Sequence, residues 1–266
     1  MSDKIILDHY AKLSKGWGLQ GQMSMQDKVV RERETAFITA QTQHCLRTLG
    51  VAPEQALILD IGCGNGYLLA ALWEELAGAE LRGIEFVPEL VAVAQTRSLP
   101  GLSIQQGDMR VRASFKQQAH VVITERSVVN LLSWEEQKAA FENIAAWIKP
   151  GGFYIMVESF QEPWVEMNAA RRETNLPEVP ISAHNRYLKE ACIDTLGTLG
   201  LRTVPGVEPK NALSSHFFLS RVFQHLFVEE GRPASERVWQ FFAEGLPQNV
   251  GNYSPILFRV FQKDCI

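Results

Sequence analysis

The residues best suited to chemistry lie in one short run, Leu57-Ile58-Leu59-Asp60-Ile61-Gly62-Cys63-Gly64-Asn65-Gly66-Tyr67. An apolar strand ends there in an acid and passes through glycines into a helix. Glycine lacks a Cβ, so its backbone can lie against a ligand, and the free amides of a helix start face whatever binds. Two ligand classes compete for such a turn. The dinucleotide spacing GxGxxG needs a third glycine where this chain carries the ring of Tyr67. The spacing present is DxGxGxG.

Periodicity supplies the elements that must position this turn. Short apolar runs at Leu57–Ile61, Leu81–Ile84, Leu102–Gln105, Val121–Thr124 and Phe153–Val157 alternate with helical stretches at Tyr67–Leu76, Pro88–Thr96 and Trp134–Ile148. Such alternation is the mark of βαβ units, and a Lys149-Pro150-Gly151-Gly152 turn is expected to separate the last helix from its strand. Leu201–Val204 and Ile256–Phe261 complete a seven-stranded, mostly parallel, doubly wound Rossmann-like α/β sheet. Upstream, Asp27–Leu49 reads as a helix and the glycine-bearing Gly16–Ser24 as a loop or lid. The expected organisation is a helical cap over residues 1–50 and a sheet domain over 51–266. Insertions are expected at about 160–185, over the site, and 212–250; Arg186–Leu199 reads as helix and Ser215–Leu246 as a helical, aromatic-rich excursion.

Composition narrows the function. Apolar residues make up 46% of the chain and charged residues 21%, as in a protein that buries a large core. A net charge of -4 with scattered Lys and Arg lacks the basic stripe of a nucleic-acid binder, so a small molecule is the expected partner. Four separated cysteines, Cys45, Cys63, Cys192 and Cys265, form no CxxC pair, which argues against a metal site or disulfide framework and for a reducing cytoplasm. Neither a secretion signal nor a membrane span is expected, and the assembly is expected to be a monomer or homodimer.

The stretch from Ala56 to Glu158 resembles the class I S-adenosylmethionine-dependent methyltransferases. The resemblance rests on DxGxGxG, on Glu85 in GIEF, on Asp108 in QQGDMR, on ITERSVVN after the fourth strand and on the KPGG turn. It implies methyl transfer (EC 2.1.1) with S-adenosyl-L-methionine as cofactor and S-adenosyl-L-homocysteine as product. By position, Asp60, Gly62, Cys63 and Gly64 surround the cofactor's amino-acid and ribose portions. Glu85 accepts the ribose hydroxyls, Phe86 faces the adenine, and Asp108 accepts from the adenine amino group beside Met109. Glu125 and Arg126, with Asn130 nearby, floor the pocket. Tyr10, Trp17, Met23, Ser24 and Arg31 are candidates to close over the cofactor, Arg31 on its carboxylate.

Acceptor residues are sought in the less regular flanks. His184, in the polar SAHNRY segment, is the candidate base, and Arg171, Arg172, Asn185, Arg186 and Tyr187 are candidates to bind a sugar, carboxylate or phosphate-bearing acceptor. His216, Phe217, Phe218 and Phe223 are candidates to wall its pocket, against the plainer reading that they are core. An aminopropyltransferase or NAD-dependent oxidoreductase on the same fold, and a catalytically silent binding subunit, are the alternatives weighed.

Overall fold

A computed structural model of the chain describes residues 2–207, 211–229 and 236–265. Helices α1 (Ser2–Trp17) and α2 (Lys28–Leu49) precede strand β1 (Leu57–Ile61). Then follow α3 (Tyr67–Glu75), β2 (Glu80–Glu85), α4 (Pro88–Gln95), β3 (Leu102–Gln106), β4 (Ala119–Glu125), α5 (Trp134–Trp147) and β5 (Ile148–Ser159). The chain closes with α6 (Gln161–Glu173), α7 (Cys192–Thr198), β6 (Leu201–Thr203), α8 (Ser214–Phe218), α9 (Gln224–Glu229), α10 (Glu236–Gly245) and β7 (Ile256–Lys263).

The strands form one seven-stranded sheet in the order β3-β2-β1-β4-β5-β7-β6. β7 runs antiparallel to both neighbours, and the other pairings are parallel. Side chains alternate across the pleat, so each strand feeds two cores. Ile58, Val121, Ile123, Ile155 and Phe258 meet α2, α3 and α4 on one face. Leu59, Val122, Tyr154, Met156 and Leu257 meet α5 and α7 on the other. Covered on both faces, β1 is buried at every position. Strand order reverses between β1 and β4, where an open α/β sheet leaves a crevice beyond the carboxyl ends of its strands.

Caps fix the helices that frame this crevice. Asp27 accepts from the Val30 amide at the start of α2, and Ser133 and Glu136 make a reciprocal capping box on α5. Several expectations are corrected. α1 continues to Trp17 and only Gly21–Met23 forms a separate short turn, so much less of Gly16–Ser24 is loop. The Lys149–Gly152 turn is a bulge inside β5: Ala119 pairs Ile148, then Val121 pairs Phe153. Helix is confined to Cys192–Thr198 within Arg186–Leu199, because the Arg186 and Leu188 amides donate to Val129 and Ser159 carbonyls instead. Positions 230–235 of the expected excursion lie outside the described residues. Among the described residues, no helix is long and apolar enough to cross a membrane.

Candidate functional site

At the sheet's switch point lies a cleft of about 1020 Å³, its open mouth included, lined by the tips of β1, β2 and β4, the loop after β3, and α1. Its floor is the glycine turn. Gly62, Gly64 and Gly66 have φ of 72°, 56° and 72°, a left-handed conformation open to glycine at little cost. A Cβ on Gly62 would lie 2.4 Å from the Ser127 Cβ, so the β1 and β4 tips meet there with no room for a side chain.

Glu85 holds this floor in place. One carboxylate oxygen accepts from the Gly64 amide and the other from the Val87 amide, each at 2.8 Å. Burial raises its pKa while those amides pull it back. Each oxygen retains a lone pair for a ligand hydroxyl. Asp60, 2% exposed, lines the cleft with no hydrogen-bond donor on its carboxylate among the described residues. Burial first, then Glu125 and Glu85, push its pKa well above the usual carboxylate range. Ser127 lines the same cleft, and its hydroxyl oxygen is buried with no hydrogen-bond partner among the described residues. Burial, Asp60 and Glu85 also raise the Cys63 thiol, which leaves it protonated and unsuited to thiolate chemistry.

Beneath the β4 tip runs an alternating chain of charges. Arg31 pairs Glu125 at 2.8 Å and donates to the Ser24 hydroxyl at 2.6 Å, while Arg126 pairs Glu34 at 2.8 Å and donates to the Ser24 carbonyl. Burial pushes Glu34 up to about 8 against the pull of Arg126. Glu125 is buried too, but Arg31 and Arg126 together hold it below the usual range. Arg126 takes a φ of +52°.

At the β3 end, Arg110 grips Asp108 through two nitrogens, reaches Asp3 on α1 and Glu136 on α5, and lies over the Phe86 ring at 5.5 Å. α1 is held from the other side by Asn65, whose amide donates to the Gly18 and Gln20 carbonyls, and by Arg97, which donates to Leu19. Tyr10 donates to Asn130, which in turn donates to Asn185.

The cleft thus gathers Tyr10, Met23, Ser24 and Arg31; Asp60, Gly62, Cys63 and Gly64; Glu85 and Phe86; and Asp108, Met109, Glu125, Arg126 and Asn130. Trp17 stands outside it, packed on Ile6, Met23, Val87 and Leu90. The acceptor candidates are mostly elsewhere. Arg171 is buried under α6, bonded to the Pro177 and Arg221 carbonyls, and Arg172 pairs Glu178 in solvent. Both correct the expectation of a substrate role, since the segment 160–185 packs beyond β5 and contributes no lining residue. Arg186 bonds Gln137, and Tyr187 packs on the α5 core. Asn185 meets the cleft wall through Asn130, whose amide donates to its side-chain oxygen.

His184 is not on the wall either. Its ring stacks on His9 at 3.7 Å behind Tyr10, and burial together with His9 lowers its pKa to about 4. His216 binds Asp27, Phe217 is core, and Phe218 and Phe223 pack on Tyr253 and Phe242, so none of the four lines the cleft. Sequence reasoning missed Arg110, Asn65, Glu34 and Ser127. Arg110 carried a signal, since it lies two residues past Asp108. Glu34 had none, because its partner is distant in the chain.

Residues 58–152 match the family model of a methyltransferase domain. A malonyl-[acyl-carrier protein] O-methyltransferase of Halalkalibacterium halodurans is 22% identical over 206 residues, 72% of this chain and 74% of that one. Among solved structures, the magnesium protoporphyrin IX methyltransferase of Synechocystis with S-adenosylmethionine bound aligns at TM-score 0.58 and 16% identity, covering 99% of this chain and 98% of that one. A methyltransferase solved with the Haloferax volcanii Trm112 activator aligns at TM-score 0.57 and 18% identity, over 96% and 97% of the two chains.

Proposed function

We propose that this chain, whose residues 58–152 match a methyltransferase-domain model, is a class I methyltransferase that moves the methyl group of S-adenosylmethionine to a small polar acceptor under α1, which covers the cleft. The observation that carries this reading is a matched set of unmet polar groups. Arg31 keeps Nε unpartnered and Asp60 its whole carboxylate, which suits the anionic and cationic ends of an amino-acid arm. Glu85 offers its spare lone pairs to a ribose, and Phe86, Met109 and Asp108 receive the base. The fit asks Arg110 to share Asp108 and the Phe86 face with that base.

When bound, the cofactor supplies an activated methyl on a sulfonium that departs as a thioether. The chain's own task is then to hold a nucleophile in line and keep water out. Tyr10 and Met23 exclude solvent from above, and Arg31 with Asp60 fixes the arm. His184, standing behind Tyr10, acts as a positioning residue for that ring.

Calorimetry with S-adenosylhomocysteine tests the proposal. Binding is expected in the native protein and is expected to weaken by about 1–3 kcal/mol in Asp108→Ala, the loss of a charged hydrogen bond. Native protein that gives no binding heat contradicts the assignment. His184→Ala, which removes the ring behind Tyr10, should weaken this affinity less than Asp108→Ala does.

A further inference from the structure

We propose that the methyl acceptor is an amine, bound where the β1 and β4 tips meet, and not a carboxylate, a phosphate or an alcohol. This rests on the methyltransferase reading and narrows its substrate class. The first argument is the supply of cations. Three guanidiniums line the cleft, and each already faces carboxylates: Arg31 on Glu125, Arg126 on Glu34, and Arg110 on Asp108, Asp3 and Glu136. Of their nitrogens, Arg31 Nε is a buried donor without a partner among the described residues, and the cofactor's own carboxylate takes it. Among the described residues a second anion finds only Arg126 Nη2, which already faces Glu125 at 3.7 Å.

The second argument is the field. The lining holds the carboxylates of Asp3, Asp60, Glu85, Asp108, Glu125 and Glu136 against those three guanidiniums. Like charges brought together in a partly desolvated cleft repel strongly, and a cation relieves them. Burial first, and then the neighbouring Glu125 and Glu85, raise the pKa of Asp60. An anionic acceptor would add to that repulsion.

The third argument separates amines from alcohols. An alcohol needs its proton removed as it attacks, by a base within hydrogen-bond reach. His184 does not line the cleft, Glu85 and Glu125 are held by backbone amides and by Arg31, and Asp60 is committed to the cationic end of the cofactor's arm. An amine carries its own lone pair. Its ammonium gives a proton to water, the nitrogen pair forms the N–C bond, the S–C pair stays on sulfur, and an N-methylammonium leaves. The Ser127 hydroxyl oxygen, buried and unpartnered beside Gly62, is an acceptor for the amine N–H.

The test uses three adenosine analogues that keep the cofactor's amino-acid arm and replace sulfur by a nitrogen bearing a 2-aminoethyl, a 2-hydroxyethyl or a carboxymethyl group. S-Adenosylhomocysteine is titrated first into the native protein. If it fails to bind, the methyltransferase reading falls and this inference with it. If it binds, the aminoethyl analogue is expected to bind at least about tenfold tighter than the carboxymethyl one, with the hydroxyethyl one between them. A carboxymethyl or hydroxyethyl analogue as tight as the aminoethyl one overturns the inference while leaving the methyltransferase reading intact. In Asp60→Asn, checked for folding by circular dichroism, the preference should shrink. A preference unchanged there would remove the negative field from the explanation and overturn that part of the case.

Discussion

The floor and the roof of the cleft are built by different physics. The floor is made of strand tips whose neighbours are bonded along the whole sheet, and its loops are held by buried acceptors. Glu158, which burial pushes up to about 7, accepts the amides of Ser127, Val128 and Val129. The roof, α1, rests on a small apolar cluster around Ile6, Met23 and Leu90 and on side chains reaching across to it. Local opening is governed by the burial and bonding of the segment that opens. The roof is therefore expected to open at lower cost than the floor.

The largest effect expected from breaking this contrast is on the floor's buried charge. Arg126→Met strands Glu34, and unfolding in denaturant above about pH 8, where Glu34 carries its charge, should show a loss of about 3–5 kcal/mol; a change near zero would mean that Glu34 sheds its charge at no cost. Next comes Glu85→Ala, which orphans the Gly64 and Val87 amides. It should cost about 1–3 kcal/mol of stability for each buried donor, read from thermal melts, and weaken S-adenosylhomocysteine binding in the same protein.

The roof responds to pH. His184 titrates near 4 and His9 is also lowered, by burial and Lys12, against an ordinary value near 6.5. With α1 displaced, these rings bind protons below about pH 6.5, while in the closed form both take them up only at lower pH, His184 near 4. Closure is therefore fully favoured above that window and weakens as pH falls through it. Hydrogen exchange should show α1 amides losing protection between about pH 7 and pH 4.5 while those of β1 keep theirs. Equal loss in both would erase the distinction. The smallest effect belongs to Arg172→Ala, an exposed pair far from the cleft, which should move stability by no more than about 0.5 kcal/mol and leave ligand binding alone.

Legibility followed the same division. β1 was readable to the residue because five consecutive apolar or tip positions buried on both sides, bounded by glycines, admit few other structures. Asp60, Glu85 and Asp108 were readable because each sits at a strand tip, a place that spacing alone locates. Trp17 and Arg171 were not. Whether an aromatic ring packs inward or faces a ligand, and whether an arginine meets solvent or a carbonyl from another helix, is decided by distant contacts. His184 misled for that reason: a polar segment near a helix start says nothing of the ring from α1 that covers it.

Arg126 shows what the backbone itself contributes to the charge at the β4 tip. A residue with a Cβ gives up roughly 1–2 kcal/mol to sit in a left-handed bend, which glycine would adopt freely. The reversal there turns the main chain so that the guanidinium leaves it already aimed at Glu34 and the Ser24 carbonyl. Arg126→Gly would ease the bend and lose the aim, so the local relaxation and the lost anchorage would appear with opposite signs in a single variant.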